Sequence, residues 1–88
     1  MTLTLEKIRN VIDLIDEEIL ALLAERLDLA RGIHPLKEKV LDKDREEAIL
    51  SRIRRTAKNS GRLRAEFVEQ IYAEILAESR RIQQGRRQ

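Results

Sequence analysis

Apolar residues along the chain recur every three or four positions, which is the spacing of one face of an α-helix. Three stretches carry this pattern, at about residues 4–33, 42–60 and 65–84, and glycine or proline lies between them. The first stretch has the clearest apolar stripe, formed by Ile8, Ile12, Ile15, Ile19, Leu22, Leu29 and Ile33. The pattern predicts an all-α fold of three helices in one domain, residues 1–88.

The first predicted helix is too long for the domain that its own chain can form. About 30 residues at 1.5 Å per residue give a helix of about 45 Å. A compact chain of 88 residues has a radius of gyration of roughly 12 Å and is about 30 Å across. The end that extends beyond the domain still carries apolar residues that need cover. A second copy of the chain is the simplest cover, so the length predicts self-association.

The ends of the second and third helices are marked by residues that stop or start helices. Asp42 is a good N-cap, and the acidic residues that follow it suit the positive end of a helix. The run Asn59-Ser60-Gly61 is typical of a helix end. The third helix has its own stripe, and Ser79 and Gln83 lie on the continuation of that stripe.

The composition excludes several kinds of chemistry. The chain has no Cys and one His, His34, so we expect no disulfide, no metal and no cofactor. No nucleophile–base pair and no glycine-rich phosphate loop is visible. The first residues contain no apolar run that resembles a signal peptide or a membrane span, so we expect a cytoplasmic protein that does not bind membranes.

The charge is unevenly distributed, although the net charge is only +2. Residues 80–88 carry four Arg and no acid, which leaves a charge of −2 on the rest of the chain. A basic tail on a near-neutral body is a weak signal for nucleic-acid binding. We interpret this tail as a frayed, solvated terminus and expect no nucleic-acid partner.

Polar residues at positions where the pattern favours apolar ones are the informative sites. Arg26 lies on the stripe of the first helix, and Arg45 and Glu46 flank the apolar face of the second. One interpretation is an internal salt bridge, for example between Arg26 and Glu46. The other is an anion site, which would also include Ser79 and Gln83. Without a nucleophile, such an enzyme would work by positioning and electrostatics, as in a pericyclic or isomerising reaction.

Three segments together resemble one enzyme family over nearly the whole chain. Residues 8–26 (IRNVIDLIDEEILALLAER) resemble the first helix of the AroQ-type, all-helical chorismate mutases, 42–47 (DKDREE) the start of the second and 77–83 (AESRRIQ) the end of the third. The resemblance implies a three-helix protomer in an intertwined homodimer whose long first helix spans both chains. It also implies rearrangement of chorismate to prephenate in the synthesis of aromatic amino acids.

The resemblance also implies roles for individual residues. Arg9 would be donated to the site of the other chain, and Arg26 would be the arginine within the chain, both holding substrate carboxylates. Lys37 and Gln83 would contact the ether oxygen of the breaking bond. Glu46 would accept a hydrogen bond from the ring hydroxyl. The remaining substrate-binding residues would be Asp42, Arg45 and Ser79.

The connection between the first two helices departs from the family pattern. Only four residues separate Lys37 from Asp42, and Pro35 lies just before the lysine, so Lys39 is a rival for the role of Lys37. Two sister enzymes share the scaffold, isochorismate pyruvate lyase and aminodeoxychorismate mutase, although the pair of Gln83 and Glu46 favours the ordinary mutase. A helical dimerisation module without activity is a further alternative.

Overall fold

The computed structural model describes residues 3–33 and 41–86, and for residue 86 it describes the backbone alone. Three helices account for most of this part: α1 (Leu5–Ile33), α2 (Lys43–Ser60) and α3 (Ala65–Arg86). The prediction of an all-α chain with three helices is confirmed. The predicted boundaries of α1 and α2 agree with the structure to within one residue, and α3 continues two residues beyond the predicted Gln84.

The long α1 makes the protomer elongated. This helix has 29 residues, and the chain measures 55 × 28 × 16 Å with a radius of gyration of 16.5 Å. A compact chain of this length would have a radius of roughly 12 Å. Every described residue from Leu3 to Leu22 is exposed, including nine large apolar residues of α1. The first half of α1 therefore carries an apolar surface that the described residues of its own chain do not cover.

The second half of α1 packs on α3, and α3 packs on α2. Along α1, the residues that lose exposure are Leu23, Arg26, Leu27 and Ala30. The seven apolar residues of the predicted stripe from Ile8 to Ile33 stay exposed within the chain. Arg26, which lies on the same stripe, contacts α3. The first half of the stripe is therefore free of contacts with the described helices, whereas its second half faces the junction with α2 and α3.

Local capping fixes the ends of α2. The side chain of Asp42 accepts a hydrogen bond of 3.0 Å from the backbone N–H of Arg45, as an N-cap does. Gly61 ends the helix in the left-handed conformation with φ 67°, and its N–H bonds to the carbonyl of Lys58. Both predicted cap positions are confirmed. Together they fix where α2 begins and ends.

The core between the helices is small. Among residues 3–33 and 41–85, four apolar residues are buried: Ala30, Ile49, Ala57 and Leu76. An exposed ion pair between Arg54 and Glu69 also ties α2 to α3, and its hydrogen bonds raise the pKa of Arg54. Among the described helices, none has the length and hydrophobicity that a membrane span needs. A core this small indicates that the protomer gains little stability from its own packing.

Candidate active site

A cleft opens where the second half of α1, the start of α2 and the end of α3 meet. Its volume is about 270 Å³, just below the range of about 300–1,000 Å³ for small-molecule sites. Its apolar wall is formed by Leu29, Ala30, Ile33, Ile49 and Leu76. Its polar lining consists of Arg26, Asp42, Arg45, Glu46, Ser79, Arg80 and Gln83. Six of the eight residues predicted for the site are therefore brought together here.

The polar lining has a surplus of positive charge. Three arginines and two carboxylates line the cleft, which gives it a net charge of +1. The N-terminal end of α2 also lies at the cleft, and a helix N-terminus carries a partial positive charge. Asp42 uses its carboxylate to cap that helix through the backbone N–H of Arg45. The arrangement favours an anionic ligand over a neutral or cationic one.

Arg26 is held from two sides by residues of α3. Its Nη1 donates to Oγ of Ser79 at 3.3 Å, and its guanidinium carbon lies 5.9 Å from the centre of the Tyr72 ring. The Ser79 hydroxyl in turn donates to the carbonyl of Ile75 at 2.9 Å. These contacts orient the arginine without neutralising it. In the part of the chain that the structure describes, Arg26 forms no ion pair.

Glu46 pairs with Arg80, a residue that the sequence did not single out. Nη1 of Arg80 lies 2.5 and 2.6 Å from the two carboxylate oxygens of Glu46. The side chain of Arg80 is 32% exposed and that of Glu46 is 21% exposed. The internal pair suggested from the sequence, Arg26 with Glu46, is thus replaced by Arg80 with Glu46. One signal pointed to Arg80: it lies one turn after Leu76, on the face of α3 that is buried.

Gln83 is a buried amide at the back of the cleft. Only 3% of the residue is exposed, and its Nε2 donates to the carbonyl of Ala30 at 2.9 Å. This bond joins the end of α3 to the last turn of α1. It also fixes which end of the amide is the donor, because the carbonyl of Ala30 can only accept. The side chain is consequently held in one orientation next to Ser79 and Arg26.

Two predicted site residues are not in this cleft. Arg9 lies on the exposed half of α1, 17 residues before Arg26, which is about 25 Å along the helix. Arg9 therefore cannot reach the cleft of its own chain. Lys37 and its rival Lys39 lie outside the described residues, as do His34 and Pro35.

A second groove differs from the cleft in its charge. It lies between α1 and α3 and is lined by Leu23, Leu27, Glu74, Ile75, Ala77, Glu78 and Arg81. Two carboxylates and one arginine give it a net negative charge, and a hydrogen bond from Arg81 lowers the pKa of Glu78. It is a poor site for an anion. Among the described residues, no group of three or more acidic or His side chains is placed to hold a metal ion.

Comparison with known families assigns the chain to one of them. The sequence model of the family described as chorismate mutase type II matches residues 8–84, from the first turn of α1 to the end of the cleft on α3. The chain belongs to the type II chorismate mutase family. A search of curated proteins found no match.

Family membership makes the chain a chorismate mutase, which is an isomerase. The matched region contains every residue of the polar lining. The three-helix architecture that the resemblance implied agrees with the structure.

Proposed function

We propose that the cleft binds chorismate and rearranges it to prephenate without a covalent intermediate. The observation that carries this proposal is the convergence of Arg26, Glu46, Ser79 and Gln83 in one cleft of net positive charge. Chorismate has two carboxylates, one ether oxygen and one ring hydroxyl. The cleft offers cations for the carboxylates, an amide donor for the ether and a carboxylate acceptor for the hydroxyl.

The chemistry needs only positioning and electrostatic stabilisation. The reaction breaks the C–O bond of the ether while a C–C bond forms, and negative charge grows on the ether oxygen in the transition state. A donor aimed at that oxygen stabilises the transition state more than the ground state. Gln83 would supply this donor, together with Lys37. Loss of one donor of this kind typically costs about 3–4 kcal/mol.

The other residues would hold the substrate in its reactive shape. Arg26, kept in place by Ser79 and Tyr72, would bind one carboxylate through its planar fork of N–H groups. Glu46 would accept from the ring hydroxyl at the opposite side of the cleft, and Arg45 and Asp42 would assist at the start of α2. Fixing both ends of the substrate brings the reacting carbons together, and this orientation lowers the barrier.

The site would be completed by a second copy of the chain. The described cleft has a net charge of +1, and Arg9 of the second copy with Lys37 would raise it to +3, above the −2 of the substrate. The exposed apolar stripe on the first half of α1 supports this proposal, because a homodimer in which each α1 crosses its partner would bury it. The same crossing would carry Arg9 towards the other cleft.

We place the reaction in the synthesis of phenylalanine and tyrosine, where prephenate is consumed. The cytoplasmic location predicted from the sequence stays a prediction. The sister reactions on the same scaffold would use isochorismate or 4-amino-4-deoxychorismate. A neutral ring hydroxyl suits Glu46 as a single acceptor already paired with Arg80, which favours chorismate over the amino compound.

A substrate panel tests this proposal. The purified protein is incubated separately with chorismate, isochorismate and 4-amino-4-deoxychorismate, and the products are identified by mass spectrometry and NMR. Prephenate from chorismate, with no comparable turnover of the other two, is the expected result. Pyruvate and salicylate from isochorismate would move the assignment to the lyase, and a folded protein that turns over none of them would favour a dimerisation module.

A further inference from the structure

We propose that Arg80 is a positioning residue of the site, which holds the carboxylate of Glu46 in place for the ring hydroxyl of the substrate. This inference rests on the proposed function, since it assigns Glu46 the acceptor role given above. Arg80 itself would not contact the substrate. It would act through Glu46, whose two carboxylate oxygens it contacts.

The geometry of the pair suits this role. One nitrogen of Arg80 is shared by both oxygens of Glu46, at 2.5 and 2.6 Å. The pair joins the first turn of α2 to the last turns of α3, and both residues line the cleft. Because charge-assisted hydrogen bonds are short and strong, this contact restricts the carboxylate to one orientation.

The pair also keeps Glu46 away from the cations that the substrate needs. Arg26 and Arg45 line the same cleft as Glu46, and an unpaired carboxylate there would be attracted to either of them. Neutralising one of those arginines would remove a ligand for a substrate carboxylate. Arg80 prevents this competition, and its positive charge offsets the repulsion between Glu46 and a dianionic substrate.

Direct binding of the substrate by Arg80 is the less favourable alternative. To reach a substrate carboxylate, its guanidinium would have to leave Glu46. The half-buried carboxylate of Glu46 would then lose its partner. The free-energy cost of leaving it unpaired exceeds the gain when Arg80 exchanges Glu46 for a substrate carboxylate. The pair is therefore expected to persist while the substrate is bound.

Four variants test the role by steady-state kinetics with chorismate: Arg80→Gln, Arg80→Lys, Glu46→Gln and the double variant Arg80→Gln/Glu46→Gln. The matched control is Arg54→Gln, which removes the other ion pair between α2 and α3 but lies outside the lining of the cleft. Circular dichroism and thermal unfolding of each variant establish that it is folded before kcat and KM are compared.

The expected pattern is a shared loss. Arg80→Gln lowers kcat/KM about tenfold, as the loss of one charge-assisted hydrogen bond does, and the division of this loss between kcat and KM is the same as in Glu46→Gln. The double variant is no worse than Glu46→Gln alone, within about twofold. Arg80→Lys restores most of the activity, because one nitrogen makes the whole contact. Arg54→Gln stays within about twofold of the wild type.

Other patterns would overturn the inference. Multiplied losses in the double variant would mean that Arg80 acts independently of Glu46, by binding the substrate. An equal loss in Arg54→Gln would make the role purely structural, and an unchanged Arg80→Gln would remove it. Absence of turnover by the folded wild type would instead reject the proposed function, and the role of Arg80 with it. An active wild type with one of the first three patterns rejects the inference alone.

Discussion

Mixing two weakened variants, Arg9→Ala and Arg26→Ala, is expected to restore activity if each site takes Arg9 from one chain and Arg26 from the other. The two arginines lie about 25 Å apart along α1, whereas the cleft beside Arg26 has a volume of only about 270 Å³. One ligand therefore cannot contact both arginines of the same chain. In a mixed dimer, one site has both intact arginines and the other site has neither.

The expected recovery follows from this arrangement. Random pairing of equal amounts gives mixed dimers in about half of the molecules, and each has one intact site of two, so about one quarter of the wild-type activity returns. Each variant alone loses about 1.5–3 kcal/mol of transition-state binding, if each arginine makes one charge-assisted hydrogen bond. That corresponds to a loss of activity of roughly tenfold to more than a hundredfold. One quarter of the wild-type activity in the mixture is therefore clearly higher than the residual activity of either variant alone.

The assay compares two mixtures after unfolding in urea and joint refolding, with chorismate consumption as the readout. The control mixture combines Arg26→Ala with Gln83→Ala, whose residues line the same cleft of one chain. Mixed dimers of that pair have one defect in each site, so no recovery is expected. Failure of the first mixture to recover, or equal recovery in both mixtures, would refute the shared site.

Three further predictions concern a donor, a surface and a turn. Gln83→Glu is expected to leave activity only at acidic pH, because the introduced carboxyl group donates a hydrogen bond only when it is protonated. Burial at this position (3% exposed) raises the pKa of that carboxyl group. Activity is therefore present below this pKa and lost as the pH rises through it. A loss that acid does not reverse in a pH–rate profile would count against Gln83 as the donor. Ile15→Asp, in the exposed stripe (48% exposed), is expected to shift the protein from dimer to monomer or unfolded chain in analytical ultracentrifugation, and an unchanged dimer would place the interface elsewhere. Gly61→Ala is expected to lower the free energy of unfolding by about 1 kcal/mol, because φ is 67° there; an unchanged urea midpoint would show that the strain is relieved.

The elements that could be predicted from sequence are those set by local chemistry. Asp42 and Gly61 act on backbone groups within four residues of themselves, so their types and spacing were enough to place both ends of α2. The apolar periodicity gave the three helices for the same reason. The length of α1 then indicated that the chain could not cover it alone, and the structure agrees that the stripe is exposed within the protomer.

Most of the polar residues that line the cleft could be predicted from sequence, but their pairing could not. Arg26, Ser79 and Gln83 could be identified because a polar residue on an apolar helix face is costly to bury without a partner. Their partners depend on how helices that are distant in sequence pack together, and sequence spacing does not encode that. Arg80 and Arg81 are adjacent and identical in type, yet only Arg80 faces the cleft and reaches Glu46. Arg81 pairs with Glu78 on its own helix.

The most direct test of the account is the turnover of chorismate by the wild type and by Arg26→Ala, followed as loss of ultraviolet absorbance with prephenate confirmed as the product. The account predicts saturable turnover by the wild type and a loss of at least roughly tenfold in kcat/KM for Arg26→Ala, with both proteins folded. No turnover by a folded wild-type dimer would contradict the proposed reaction. Equal turnover by the two proteins would place the anion site somewhere other than this cleft.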